Sequence, residues 1–294
     1  MADLTPDPAS SRADRAAAAR TDPEAVRNVA VRRLPSGGPT LAERDRVAVE
    51  APLEIRVAGD TLATTMRTPG DDHFLAAGFL LAEGLVREAR DLGRLAHCGR
   101  PGDESYGHTI DALPGAGFAF DLSRVDAARR GTLSTSACGV CGRDTFEDLV
   151  RRLGRIGPTP QVAGEVLRAS TVALFDHAQP GFRETGAMHA AALADAEGRL
   201  LTCAEDIGRH NAVDKAVGEL FLAGRLEHAT VLAVSGRVSF EIVQKAAAAR
   251  VPFVTAVGGT SSLAISLAEE AGITLCAFVR GGRLNAYTHP DRIR

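Results

Sequence analysis

The sequence predicts an α/β fold: a sheet of buried, mostly parallel strands with helices on both faces in the second half, preceded by a smaller, β-rich α+β part. Three observations predict it. From Ala229 to Val279, short continuous apolar runs alternate with helical runs, the pattern of strands buried on both faces. Between Val47 and Arg67, two strand-like runs flank Ala58-Gly59-Asp60, a Gly-containing turn. Finally, 294 residues at 45% hydrophobic composition suffice for one large core or two modest ones.

Taken in order, residues 1–25 are rich in Ala, Asp, Arg, Ser and Pro without apolar periodicity and predict a disordered tail, with order beginning near Val26. Val47–Val57 and Thr61–Arg67 predict a strand pair, with Pro52 favouring an edge or a bulge. The run from Asp71 to Gly84 has helical spacing, an Asp to start it and a Gly to stop it. Tyr106–Leu113 and Gly117–Leu122 predict two further strands, closing an N-terminal part over 26–130. A cysteine-bearing loop follows over 131–145, then an α/β domain over 146–294. Within that domain Met188–Leu193 and Leu200–Ala204 predict strands about a turn at Ala196-Glu197-Gly198, and Asn211–Leu222 a helix. Ala229–Ser235, Pro252–Val257 and Ile273–Val279 predict buried strands, separated by helices over Ser239–Arg250 and Ser261–Ala271.

The charge balance, 34 Lys+Arg against 37 Asp+Glu for a net −3, excludes wholesale nucleic-acid binding, so an anionic ligand needs a local basic site. The N-terminus carries early Asp residues and no apolar core of a secretory signal, and no run of about 18 apolar residues predicts a membrane span. A soluble cytoplasmic protein is expected, its five cysteines reduced, catalytic or metal-bound rather than disulfide-paired.

Two of those cysteines fall in Thr135-Ser136-Ala137-Cys138-Gly139-Val140-Cys141-Gly142, which reads as half of a zinc site, a dithiol redox pair or a sulfur carrier. Zinc needs four ligands, and Cys98, Cys203 and Cys276 are singletons, so His189, His210 or a lone Cys would have to converge from afar. A thioredoxin-like dithiol follows a strand, whereas the residues before Cys138 are small and polar. Asp144 and Glu147 have capping-box spacing, which predicts a helix just after the thiols, and its N-terminus with Arg143 favours thiolate. Gly139 and Gly142 would let such a segment carry a sulfur to another site. On its bland reading the stretch is a Gly-rich loop with incidental thiols.

The predicted strand ends are the second concentration of chemistry. Glu205-Asp206-Ile207-Gly208-Arg209-His210-Asn211 follows one strand, Ser235-Gly236-Arg237 another, and Gly258-Gly259-Thr260-Ser261-Ser262 a third, opening a helix whose free N–H groups suit phosphate. The last strand runs into Phe278-Val279-Arg280-Gly281-Gly282-Arg283, where two arginines flank two glycines and an aromatic can stack a base. Any one strand-end Arg is more often a solvated surface residue; several on one sheet point to a nucleotide or phosphorylated cofactor. His189 invites comparison with the H-x-E of zinc deaminases, but position 191 is Ala and the carboxylate is missing.

The motifs TSACGVCG, TGAMHAAAL, AEDIGRHNAVDKAVGE, VSGRVSFEIVQKAA and ITLCAFVRGGRLNAYTH, in this order, resemble the FdhD family of sulfur carrier proteins required for active formate dehydrogenase. The likeness runs from about Val26 to the C-terminus. It departs at Ala187 and Ala277, where the family often has Gly, and at Gly258-Gly259, where it has a small residue and Pro. The resemblance implies a cytidine deaminase-like α/β layered domain and a homodimer. It implies that Cys138 accepts sulfur from a cysteine desulfurase as a persulfide, with Cys141 assisting. It also implies that the sulfur passes to bis-molybdopterin guanine dinucleotide, bound through Phe278–Arg283, with GDP as a mimic and formate dehydrogenase as the destination. His210 and Arg237 join that cofactor site through the strand-end reading. The alternative is a zinc-binding scaffold or molybdenum cofactor chaperone without sulfur transfer.

Overall fold

The computed structural model describes residues 24–294 apart from 101, 102, 104, 105, 122–124, 126–145, 158 and 178. The expected N-terminal tail lies almost wholly, and the TSACGVCG stretch entirely, outside the described residues.

Three sheets organise the described chain. β1 (Val26–Arg33) and β2 (Leu41–Ala48) form an antiparallel ribbon. A four-stranded sheet has the order β4-β3-β6-β5, built from β3 (Ala51–Val57), β4 (Asp60–Arg67), β5 (Leu92–His97) and β6 (Thr109–Pro114). The β3–β4 hairpin turns at Ala58 and Gly59, both at positive φ, as a tight turn matched to strand twist requires. The expected single strand from Val47 is two strands: the ribbon pairing runs on as far as Val49, whose N–H donates to the Ala25 carbonyl at 2.9 Å, and β3 begins at Ala51 in a different sheet. Pro52 is not on an edge strand, since β3 is paired on both sides. It precedes the β6 register, which begins at Glu54, so its missing N–H interrupts no bond there. The strand expected over Gly117–Leu122 is absent over 118–121: Phe118 bonds back to Gly115, and its ring meets Phe120 edge-on at 5.4 Å.

The six-stranded sheet has the order β12-β11-β10-β9-β7-β8, comprising β7 (His189–Ala194), β8 (Leu200–Asp206), β9 (Val231–Val234), β10 (Phe253–Ala256), β11 (Thr274–Arg280) and β12 (Arg283–Ala286). It is mixed rather than mostly parallel. β9, β10 and β11 run parallel through helical crossovers, whereas β7–β8 and β11–β12 are joined by short turns that force antiparallel pairing. Alternation along the strands sends residues to two covered faces. Ala190, Ala192 and Ala233 meet Leu174 of α3 (Gly164–His177). Ala191, Leu193, Leu232, Val234 and Val254 join the main core with α5 (Arg209–Leu222), α6 (Phe240–Ala248) and α7 (Ser262–Ala271). Two shorter helices, α2 (Phe146–Leu153) and α4 (Pro180–Thr185), complete the set with α1 (Asp72–Ala82).

α1 joins the halves. Its Leu75 and Ala76 pack with Leu53, Ile55 and Ile110 of the four-stranded sheet, while Ala77, Leu80 and Leu81 enter the main core. Its other face crosses α5 backbone to backbone. A Cβ on Gly218 would stand 2.8 Å from the Gly78 nitrogen and closer still to the Phe74 carbonyl. One on Gly78 would meet the Asp214 backbone. No side chain fits this crossing, so both glycines are required by close approach.

Gly218→Ala should therefore cost more than about 2 kcal/mol, since overpacking a rigid backbone contact moves whole helices. Gly157→Ala, with nothing within 4 Å of its new Cβ, should stay within about 0.5 kcal/mol of the parent. Urea denaturation compares them, and equal midpoints would refute the crossing.

Candidate functional site at the strand ends

The expected strand-end residues do share one edge of the six-stranded sheet. His189 at the start of β7 pairs with Asp206 at the end of β8. Ser235 Oγ accepts the Ala190 N–H at 2.9 Å, and the loop after β9 bridges that after β10 through Val238 N–H to Gly259 O at 2.9 Å. The loop after β10 meets β11 through Phe278 N–H to Gly258 O at 3.0 Å. Arg209, His210, Gly236, Arg237, Gly258–Ser261 and Phe278–Arg283 thus stand in a row along the strand order.

At one end of the row the β11–β12 hairpin turns at Gly281 and Gly282, φ 57° and 76°. This places Arg280 directly opposite Arg283. Both are exposed, and neither has an acidic partner among the described residues. Two like charges held opposite one another disfavour the pair unless an anion lies between them. Phe278, 40% exposed and at φ 54°, sits at a register irregularity with its ring over Gly259. A Cβ on Gly259 would come within 2.9 Å of that ring. Val279 contributes no side chain here, being buried against Phe253 and Cys276. Arg209 Nε and Thr260 Oγ1 are buried without a hydrogen-bond partner among the described residues, two donors that a polar ligand would satisfy.

At the other end lies a cavity of about 360 Å³ between the four-stranded sheet, α1, α5 and α6. Ile55, Leu75 and Phe79 give it an apolar wall, and His189, Arg209, His210, Glu241 and Lys245 a polar one. Burial, then the cations of Arg209 and Arg237, hold the His189 pKa below its ordinary value. His210 is pushed down to about 4, chiefly by burial, against the opposing pull of Glu241. Burial raises Asp214 to about 6 although Lys245 Nζ lies 2.7 Å from its carboxylate.

Much of the motif over Asp206–Lys215 is a clasp rather than a ligand site. Fully buried Asp206 takes the Thr68 and Gly208 N–H groups at 3.1 and 2.8 Å and pairs with Lys215 at 2.7 Å. Lys215 donates to the Thr68 carbonyl and Asn211 to that of Met66, both at 2.8 Å. These bonds fasten the end of β4 to the start of α5. Asp206 and Lys215 stay out of the cavity, whereas Arg209 and His210 line it together with Ile207, Gly208, Asn211 and Asp214. Ala191 is fully buried in the sheet, where no shuttling carboxylate could act. Among the described residues no three His, Cys, Asp or Glu side chains are grouped to hold a metal ion.

Glu241, Gln244 and Lys245 also line the cavity and are not among the residues singled out from the sequence. Their signal is a polar stripe, Glu241-x-x-Gln244-Lys245, on one face of a helix that is otherwise apolar.

His210 carries a pH signature. Its folded pKa is depressed, so the stability tied to its neutral form is present above its ordinary 6.5 and is lost as pH falls towards about 4, roughly 3 kcal/mol in all. Asp214 works the other way, its contribution being lost as pH rises through about 6. Comparison with His210→Gln isolates the first group: relative to the parent, the variant should gain up to about 3 kcal/mol between pH 7 and pH 4. A gap independent of pH in urea titrations would contradict it.

The chain is similar to known proteins in sequence and in fold. A profile of the FdhD/NarQ family matches residues 48–294. The sulfur carrier protein FdhD of Anaeromyxobacter dehalogenans strain 2CP-1 is 49% identical over 267 residues, 88% of this chain and 91% of the relative. That of Mycolicibacterium paratuberculosis is 45% identical over 266 residues, 88% and 95% of the two chains. The crystal structure of a formate dehydrogenase accessory protein from Desulfotalea psychrophila superposes with a TM-score of 0.69 at 23% identity, covering 92% of this chain and 99% of that one. This last match shows a shared fold. With the profile spanning both halves and the relatives nearly full length, the chain belongs to the FdhD/NarQ family.

Proposed function

We propose that this protein is a sulfur carrier: Cys138 accepts sulfur from a cysteine desulfurase as a persulfide and delivers it to bis-molybdopterin guanine dinucleotide destined for formate dehydrogenase. The observation that supports it most is the basic row along the sheet edge. From β11 to β8 it crosses four strand spacings, about 19 Å, the reach of an extended dinucleotide ligand. Arg280 and Arg283 suit pyrophosphate or phosphate oxygens, Phe278 offers a stacking face, and Arg209, Thr260 and Arg237 continue the row. GDP should bind as a mimic of the guanine end. The sheet, covered by helices on both faces, supports a cytidine deaminase-like layering.

The chain's own tether supports the sulfur step. Phe146, at the start of α2, packs against Phe240 with ring centroids 6.5 Å apart, beside the loop that carries Arg237. Cys141 is five residues and Cys138 eight residues upstream of Phe146, contour lengths of at most about 18 and 29 Å. The transfer begins with a thiolate attacking the persulfide of the desulfurase, and a second thiol nearby assists release. The working unit is a cytoplasmic homodimer that needs neither nucleic acid nor membrane. No helix among the described residues is long and apolar enough to cross a membrane.

In a strain lacking its own carrier, Cys138→Ala should leave formate dehydrogenase inactive while Cys203→Ala restores it. Full activity with Cys138→Ala would overturn the reading. Replacing Arg280 and Arg283 together by Ala should weaken GDP binding about tenfold or more, the loss of two charge-assisted contacts, and calorimetry at fixed salt would measure it.

A further inference from the structure

Ser239 and Ser261 occupy equivalent places: each follows a strand of the six-stranded sheet and stands immediately before a helix. Ser261 does what a serine there usually does, its Oγ accepting the Ala264 N–H at 3.3 Å. Ser239 does not cap α6. Its Oγ lies 3.0 Å from His210 Nε2 instead, and His210 Nδ1 lies 3.2 Å from Glu241 Oε2.

The hydrogen positions in this chain follow from chemistry. An ionised carboxylate can only accept, so His210 Nδ1 carries the proton and donates it to Glu241. In the neutral ring Nε2 is then an acceptor, and Ser239 Oγ–H donates to it. Burial keeps His210 neutral at pH 7. The direction is that of a hydroxyl being prepared for deprotonation. The first N–H groups of α6, those of Phe240 and Glu241, have no intrahelical acceptors and are not taken by the Ser239 side chain. They stand beside the hydroxyl, where a developing oxyanion would be stabilised. His210 and Glu241 both line the 360 Å³ cavity, whose Ile55, Leu75 and Phe79 wall suits a short apolar group.

We propose that Ser239, His210 and Glu241 form a nucleophilic triad that hydrolyses small esters or thioesters, an activity separate from sulfur carriage. Ser239 Oγ bonds to the carbonyl carbon as its proton passes to His210 Nε2. The tetrahedral intermediate collapses, the bond to the leaving oxygen or sulfur breaks, and the leaving group takes the proton from Nε2. Water then attacks the acyl-serine, giving a proton to Nε2, and the carboxylic acid departs as Ser239 is reprotonated. Nothing is oxidised or reduced. Glu241 holds the ring in the required tautomer throughout, and the same three side chains recur in this role on unrelated folds.

The test uses the full-length protein with diisopropyl fluorophosphate, read by intact mass and peptide mapping, and with p-nitrophenyl acetate, read by release of nitrophenolate. One adduct should form on Ser239 and none on Ser261. Ser239→Ala should abolish labelling and hydrolysis, and His210→Gln and Glu241→Gln should slow both by about 100-fold or more, the low end for losing a positioned base. Circular dichroism confirms folding, and Glu241→Gln, at a half-buried position, carries the test if His210→Gln unfolds. Cys138→Ala should label as the parent does, so this activity and the sulfur reading stand or fall separately. No adduct on Ser239, an adduct on a cysteine instead, or parental labelling rates in folded Glu241→Gln would overturn the triad.

Discussion

The arrangement of this molecule depends on two helices whose backbones touch. Where α1 crosses α5, Gly78 and Gly218 leave no room for a β-carbon, and the Phe74 and Asp214 carbonyls face the opposing helix at contact distance. This crossing fixes the four-stranded sheet, carried on α1 through Leu75 and Ala76, relative to the six-stranded sheet, carried on α5. The cavity is the space left on either side of that contact. Its walls come from β3, β4 and α1 on one side and from α5 and α6 on the other, so no single half contains it.

Around the crossing, charge is spent on position before it is available for chemistry. Asp206, Asn211 and Lys215 tie the end of β4 to the start of α5, and Asp214 with Lys245 ties α5 to α6. Breaking one partner of such a buried pair leaves a stranded charge and costs about 3–5 kcal/mol, whereas the intact pair adds little. These bonds therefore specify geometry. They hold His210 against Ser239 and Glu241, and they set Arg209 on the cavity wall beside Gly236.

The second half of the fold is legible in the sequence because its strands are buried on both faces and read as continuous apolar runs; β9 and β10 lie within the runs that predict them, and β11 extends one residue past its run, to Arg280. β1, β2 and β5 were not read, since an exposed ribbon and a half-covered strand carry Arg and Gly where a buried strand would carry Val or Ile. The parallel character was overestimated because a run of apolar residues does not record strand direction; only the short turns at Asp195–Arg199 and Gly281-Gly282 do. At the site, the strand-end motifs announced the edge through clustered Arg and Gly, yet the same motif hid which residues fasten and which face the cavity. Asp206 and Lys215 looked as chemical as Arg209 and His210. Gly78 and Gly218 gave no sign, because a glycine within a helical run does not say what approaches it.

The proposed carriage of sulfur on Cys138 to an anionic dinucleotide held along the sheet edge is open to direct measurement. The most direct measurement is the intact mass of the protein after incubation with a cysteine desulfurase and cysteine, followed by peptide mapping and reduction. One added sulfur is expected, on Cys138, released by reductant and absent from Cys138→Ala. Sulfur on Cys98, Cys203 or Cys276 alone, or an unchanged mass with an active desulfurase, would contradict it.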